Sequence, residues 1–385
     1  MPSSPRLRDL GLAVGPLPAG ATNSIVDVPG VRVGHCNVRG PAAAPGGKPV
    51  HTGVSVIVPG AANLFEHPLP AAVDIFNGFG KSAGLVQVAE RGQIETPLYL
   101  ASTLNVGRIW DAALTVALEE NPKAISINPV VLECNDGVLS DGRLRPCGEP
   151  HVREALAAAR RAATGAAAPA AWEAATLPAP AMGTVGAGSG MLCLGRKGGI
   201  GSSSRIVATK SMGPVAVGVL TMNNFGGRLR WAGREISAPK ARGQDARGTH
   251  GQDGHATGDP PCAVGGSAIV VLATNAPLAP DVLRRVARRA WAGVARTGAA
   301  FSDTSGDIAL AFALPDEGGL CPDELLWRLP TEDTNALFAA AADATEESIW
   351  DCLLAAGDFT TSAGKTIPGL RAEELLAPAN EAGNL

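Results

Sequence analysis

Gly265-Gly266-Ser267-Ala268-Ile269-Val270-Val271-Leu272-Ala273-Thr274-Asn275 decides how this 385-residue chain is read. Two glycines and a serine lead at once into small and β-branched apolar residues, the pattern of a short strand buried on both faces. Upstream, Ser237 to Cys262 holds no Val, Ile, Leu, Met or Phe. With nothing to build a core, 237–262 is expected to be an exposed, flexible loop. That loop ends in Gly-Gly-Ser at the mouth of a central strand.

A serine directly after glycine has a chemical use. Glycine leaves its own carbonyl sterically open. Ser267 Oγ can then attack it, shift the acyl group from nitrogen to oxygen, and lose it to water. The chain would break between Gly266 and Ser267, giving Ser267 a free α-amine. Such an amine titrates at roughly 7.7–8.0 and can serve as base for its own hydroxyl. On these residues alone, a Gly-Gly turn entering a strand, with Ser267 as a local cap, is the simpler account. The rest of the chain decides between them.

Downstream, Pro280 to Arg296 reads as an amphipathic helix with Leu283, Val286, Ala290, Trp291 and Val294 on one stripe. Its arginines form a solvated face. Ser305-Gly306-Asp307 enters a second buried strand, Ile308 to Leu314, and helices are expected at 334–343 and 346–356. Upstream, Pro214 to Met222 reads as a buried strand running into Asn223-Asn224-Phe225-Gly226. Gly183 to Gly201 is glycine-dense but lacks the dinucleotide spacing, so close backbone packing is the reading there. Asn77 to Ser82 ends in Gly-Lys-Ser, yet Ile75 stands where a phosphate loop needs its first glycine.

Nearer the N-terminus, residues 24–36 read as two short strands around Pro29-Gly30, and Val54 to Pro59 as another. Arg108 to Glu120 and His151 to Ala163 read as helices. Ala124 to Val131 reads as a strand, followed by a polar turn at Glu133 to Gly137. Gly165 to Pro180 reads as a loose connection. Strands and helices fall in blocks without regular βαβ alternation, which favours stacked sheets with helices outside.

Composition narrows the function. A net charge of −4 and 4% aromatic residues give no footprint for nucleic acid or an anionic membrane. Seven scattered cysteines without a C-x-x-C pair argue against a disulfide framework and a zinc site. No signal peptide or membrane-length apolar run is present, so a cytoplasmic location is expected.

No Gly-x-Ser-x-Gly or His-Glu-x-x-His occurs, and the six histidines are dispersed. An amine-activated Ser267 needs no histidine. Ser305 and Asp307, spaced i, i+2, share one strand face and can hold that amine by hydrogen bonds. Asn224 can donate its amide to a developing oxyanion, and Glu133 offers a carboxylate to a substrate's ammonium. Taken singly, each is better read as a turn or cap residue.

Ordered motifs now run nearly end to end. They include Asp27-Val-Pro-Gly-Val-Arg-Val-Gly-His35, Thr52-Gly-Val-Ser-Val-Ile-Val-Pro59, Asn77-Gly-Phe-Gly80 and Val185-Gly-Ala-Gly-Ser-Gly-Met191. Lys197-Gly-Gly-Ile-Gly-Ser-Ser-Ser-Arg205, Asn224-Phe-Gly226, Gly266-Ser267 with its strand, and Ser305-Gly-Asp307 follow. Together they resemble the L-aminopeptidase/D-esterase (DmpA-like) family, which includes the β-aminopeptidases.

The resemblance implies an α+β fold, a four-layer αββα sandwich related to ornithine acetyltransferase, made as one domain over 1–385. The precursor would cut itself at Gly266/Ser267 into an α-subunit (1–266) and a β-subunit (267–385) that stay together and form a homo-oligomer. It implies removal of N-terminal residues from small peptides, amides or esters, D- and β-amino acid substrates included. No metal or organic cofactor is implied. By position, Ser267 is nucleophile, Ser305 and Asp307 orient it, and Asn224 helps form the oxyanion hole. Three departures stand out: Asp307 where the family commonly has Glu, Val138 where it often has an aromatic residue, and a longer 237–262 loop. An acyltransferase of the ornithine acetyltransferase type and a non-catalytic, uncleaved binding protein are the alternatives.

Overall fold

The computed structural model describes residues 4–44, 46–60, 62–161, 178–237, 266–315, 329–361, 364 and 366–376. The expected loop, apart from Ser237, and most of the 165–180 connection lie outside them. In chain order the strands are β1 (Val31–Gly40), β2 (Val50–Pro59), β3 (Leu69–Gly78), β4 (Gln93–Ile94), β5 (Leu98–Ser102) and β6 (Val130–Cys134). Next come the hairpin β7 (Leu192–Cys193) and β8 (Arg196–Lys197), then β9 (Gly199–Thr209) and β10 (Gly213–Phe225). After β11 (Arg230–Trp231) and β12 (Arg234–Glu235) follow β13 (Gly266–Thr274), β14 (Gly306–Ala313), β15 (Phe359–Thr360) and β16 (Thr366–Ile367). The helices are α1 (Leu85–Arg91), α2 (Val106–Glu120), α3 (Glu149–Arg161), α4 (Pro280–Arg296), α5 (Thr331–Ala356) and α6 (Ala372–Leu376).

Two sheets carry the fold, in the orders β1-β2-β5-β6 and β4-β3-β14-β13-β10-β9. Along β13 the side chains alternate between two cores. Ile269, Val271 and Ala273 face the other sheet, against Leu100, Leu132 and Cys134. Ala268, Val270 and Leu272 face α4 and α5, against Leu283, Ala287 and Ala341. Both faces being buried, the strand is apolar at every position. A third core packs Val56, Tyr99 and Val131 of the four-stranded sheet on Ile109, Val116, Val152 and Leu156 of α2 and α3. The layers are therefore α2/α3, sheet, sheet, α4/α5, the αββα sandwich.

Each sheet is antiparallel except for one pair. β5 and β6 run parallel with α2 between them in the chain, and β13 and β14 run parallel with α4 between them. Two βαβ crossovers thus sit inside a chain whose element order shows no regular alternation. The second delivers the starts of β13 and β14, Ser267 and Asp307, to neighbouring positions. Among the described residues no helix is long and apolar enough to cross a membrane.

Three local expectations change. Residues 25–27 form a 3₁₀ turn, not a strand, because Asp27 accepts from the backbone N–H groups of Thr22 and Ser24 and from the hydroxyl of Ser204. Such local bonds compete with a sheet ladder. Strand β6 begins only at Val130, so Glu133 and Cys134 lie within it and the polar turn starts at Asn135. Instead of two helices, α5 is one helix of 26 residues. Its polar middle stays helical because Asp343 binds Arg296, Thr345 Oγ1 donates to the Ala341 carbonyl, and Glu347 binds Arg205.

Candidate active site

Ser267 sits at the start of β13, between β10 and β14, and is 5% exposed. Its hydroxyl donates to the carbonyl oxygen of Gly266 at 2.7 Å. The Gly306 N–H, on the neighbouring strand, points at Ser267 Oγ from 3.3 Å. The serine therefore lies against the carbonyl whose cleavage its position in the sequence suggests.

Both flanking glycines are required. Gly266 has φ +156°, and a Cβ there would stand 2.7 Å from the Asn224 carbonyl oxygen and from Phe225 Cα. A Cβ on Gly306 would stand 2.6 Å from Gly80 Cα and 3.1 Å from Ser267 Oγ. The hydroxyl is thus enclosed by backbone, a rigid setting for a nucleophile.

Ser305 and Asp307 meet as the i, i+2 spacing anticipates: Ser305 Oγ donates to Asp307 Oδ1 at 2.8 Å. The same oxygen accepts from the Ala268 N–H at 2.9 Å, so the carboxylate reaches across to the residue after Ser267. Asp307 Oδ2 accepts from Asn77 Nδ2 at 2.8 Å. Burial pushes the Asp307 carboxyl above its usual range, against the pull of these three donors.

Asn224 pairs with Ser267 across the β10–β13 ladder. Its Oδ1 accepts from the Leu192 N–H at 2.9 Å and its Nδ2 donates to the Asn135 carbonyl at 2.8 Å. These two partners, one a donor and one an acceptor, fix which way the amide points. The second N–H of Nδ2 has no partner among the described residues.

Glu133 lies on the other side of Gly80, whose missing Cβ would stand 3.3 Å from Glu133 Oε1. It is buried, with Oε1 accepting from the Lys81 N–H at 2.7 Å and Oε2 accepting from the Thr103 hydroxyl. Its carboxylate therefore already holds the loop after β3, and a substrate ammonium would share it. Beside it, burial lifts the carboxyl of Asp136 to about 6.

Two contacts at the site were not read from the sequence. Asn77 orients Asp307, and Cys134 Sγ donates to the Ser267 carbonyl at 3.3 Å. Burial, then the neighbouring Glu133 and Asp307, hold that thiol protonated. Neither position carries a periodicity or spacing signal, because each acts across a sheet or between sheets. No histidine hydrogen-bonds Ser267 among the described residues; His35, driven to about 4 by burial, pairs with Ser55 instead. Nor do these residues gather three metal-ligating side chains in one place.

Comparison with known proteins agrees with this geometry. Residues 23–367 match the model of peptidase family S58. The chain is 37% identical to the β-peptidyl aminopeptidase BapA of Sphingosinicella microcystinivorans, covering 97% of this chain and 91% of that protein. It is 34% identical to a solved Burkholderia β-aminopeptidase, with a TM-score of 0.78 and 97% of each chain covered. The L-aminopeptidase D-Ala-esterase/amidase of Ochrobactrum anthropi, described as a prototype serine aminopeptidase and a variant Ntn hydrolase fold, superposes equally well. There the TM-score is 0.78 at 30% identity, over 97% of each chain. These matches favour a hydrolase over an acyltransferase or a non-catalytic binding protein. With its αββα layers, its serine at a strand start and a family match over most of its length, the chain belongs to peptidase family S58 and hydrolyses peptide or amide bonds.

Proposed function

We propose that the chain cuts itself between Gly266 and Ser267, and that Ser267 then acts as the N-terminal nucleophile of an aminopeptidase/amidase. The observation that carries this reading is the 2.7 Å contact of Ser267 Oγ with the Gly266 carbonyl, beside the Ser305–Asp307 pair. In the first step Oγ bonds to the Gly266 carbonyl carbon as its proton leaves. The C–N bond breaks, the nitrogen takes up a proton, and water hydrolyses the resulting ester. The products are a carboxylate on Gly266 and a free amine on Ser267.

In the mature site that amine takes the proton from Oγ as Oγ attacks the substrate carbonyl. Ser305 and Asp307 hold the amine, and the free N–H of Asn224 stabilises the oxyanion. The proton passes to the departing amine, and water resolves the acyl-enzyme. Glu133 supplies the carboxylate for the substrate's own ammonium. Small peptides, amino-acid amides or esters are the substrates, with β- or D-amino acids suggested by the relatives' names.

The fragments 1–266 and 267–385 remain one unit on this reading, because β13 and β14 lie between β3 and β10 of the first fragment. Separating them would tear the six-stranded sheet at both sides. The reading extends to a cytoplasmic homo-oligomer; the cysteine usage supports the location, since five described cysteines are buried free thiols.

Intact mass of purified protein beside a Ser267→Ala variant tests the proposal. Cleavage gives two fragments with Ser267 at the new N-terminus and leaves the variant whole. A folded wild-type chain that stays intact removes the mechanism.

A further inference from the structure

Lys197, in β8, is fully buried, a position costly for an ammonium. No carboxylate lies within ion-pair distance of it among the described residues. Its Nζ donates instead to three backbone carbonyls, of Gly198 at 2.7 Å, Met191 at 3.0 Å and Gly188 at 3.3 Å. Each belongs to the glycine-rich segment leading into and out of the β7–β8 hairpin.

One of those contacts leads to the active site. The peptide group whose carbonyl, Met191 O, accepts from Lys197 is the same one whose N–H, on Leu192, donates to Asn224 Oδ1 at 2.9 Å. The Asn224 amide then ends in the uncommitted Nδ2 N–H beside Ser267. The path is ammonium, peptide, amide, and its first two links are hydrogen bonds of ordinary length; the last step is the ladder position of Asn224 opposite Ser267.

We propose that Lys197 is a positioning residue for acyl transfer, its buried ammonium polarising the Met191–Leu192 peptide and through it the Asn224 amide toward the oxyanion. This rests on the reading of Asn224 as oxyanion donor. A cation on the carbonyl draws electron density through the peptide and makes its N–H a stronger donor. The same pull then passes through the Asn224 carbonyl to its N–H, in an interior where such polarisation is little screened. The ammonium also holds the hairpin in place, but a staple alone would not need a charge.

The titratable groups facing Lys197 are the thiols of Cys193 on β7 and Cys352 on α5, and the imidazole of His51; the Phe359 ring lies 5.9 Å from Nζ. Burial dominates over the two thiols and brings the ammonium down to about 8. Loss of its proton therefore falls within an accessible pH range.

The test is steady-state kinetics of mature enzyme on L- and β-amino-acid para-nitroanilides from pH 6 to 10. Lys197→Met should lower kcat by roughly three- to thirtyfold with little change in KM, part of the ~10²–10³-fold lost in Asn224→Ala. In the Asn224→Ala background the lysine substitution should cost almost nothing further. Wild type should lose kcat on an alkaline limb near pH 8 that is absent from Asn224→Ala, while Lys197→Arg keeps the neutral rate and lacks the limb. The wild-type and Asn224→Ala profiles decide the matter even if lysine variants fail to fold. An alkaline limb that is missing, or that persists in Asn224→Ala, overturns the relay. So does a lysine effect of equal size in both backgrounds. If Asn224→Ala itself leaves kcat unchanged, the oxyanion reading fails instead, and the relay with it.

Discussion

Asp307→Asn isolates what the carboxylate does at this site. Three donors converge on it: Ser305 Oγ and the Ala268 N–H on Oδ1, and Asn77 Nδ2 on Oδ2. An asparagine keeps the shape and can keep Oδ1 for the first two, but sets an amide NH₂ against that of Asn77. Losing a hydrogen bond to a charged acceptor costs about 1.5–3 kcal/mol. Removing a buried charge returns part of that, since burial already disfavours the ionised Asp307. A net loss of about 1–2 kcal/mol is expected, read as a lower melting temperature. On the proposed mechanism activity should fall much further, on the order of 10²–10³-fold in kcat/KM, because no negative charge is then left to hold the amine that cleavage would give Ser267. Adding Asn77→Asp to this variant restores the donor–acceptor match while moving the charge away from Ser305 and Ala268. Melting should recover and turnover should not. An Asp307→Asn protein that self-cleaves and turns over like wild type would refute the reasoning, as would full recovery of activity in the double variant.

Two further perturbations probe different links. Gly266→Ala should slow self-cleavage more than tenfold and destabilise by about 1–3 kcal/mol, since its Cβ would stand 2.7 Å from backbone on β10. A mass-spectrometric time course and a melting curve read the two effects. Asp136 tests the pH dependence of stability. Its folded carboxyl keeps its proton to about 6, against an ordinary 3.8. Between those values the folded state binds the extra proton, so stability falls as pH rises, by on the order of 3 kcal/mol in all. Asp136→Asn should melt above wild type at pH 8 and alike near pH 4; equal melting at pH 8 would reject the argument.

Much of the site was legible because it is built from adjacent residues. Gly266-Ser267 stands directly at the start of an apolar strand, and Ser305 and Asp307 share a face through period-two geometry, as the 2.8 Å bond between them shows. Glu133 was legible as a carboxylate but not as part of a strand, since the apolar run before it continues through Cys134 only when paired with β5.

The sequence by itself determined the elements whose pattern is local. Helix α4 spans the residues its amphipathic stripe marks, and β13 is apolar throughout because both its faces are buried. Only the tertiary structure decided what crosses between elements. It joined α5 across its polar middle through Arg296 and Arg205, and it brought Asn77 to Asp307 over 230 residues of chain. It also set a Leu192 N–H on Asn224, with Lys197 behind it. Hydrogen bonds and ion pairs depend on where two distant groups end up to within a few tenths of an ångström, and no periodicity along one segment carries that information.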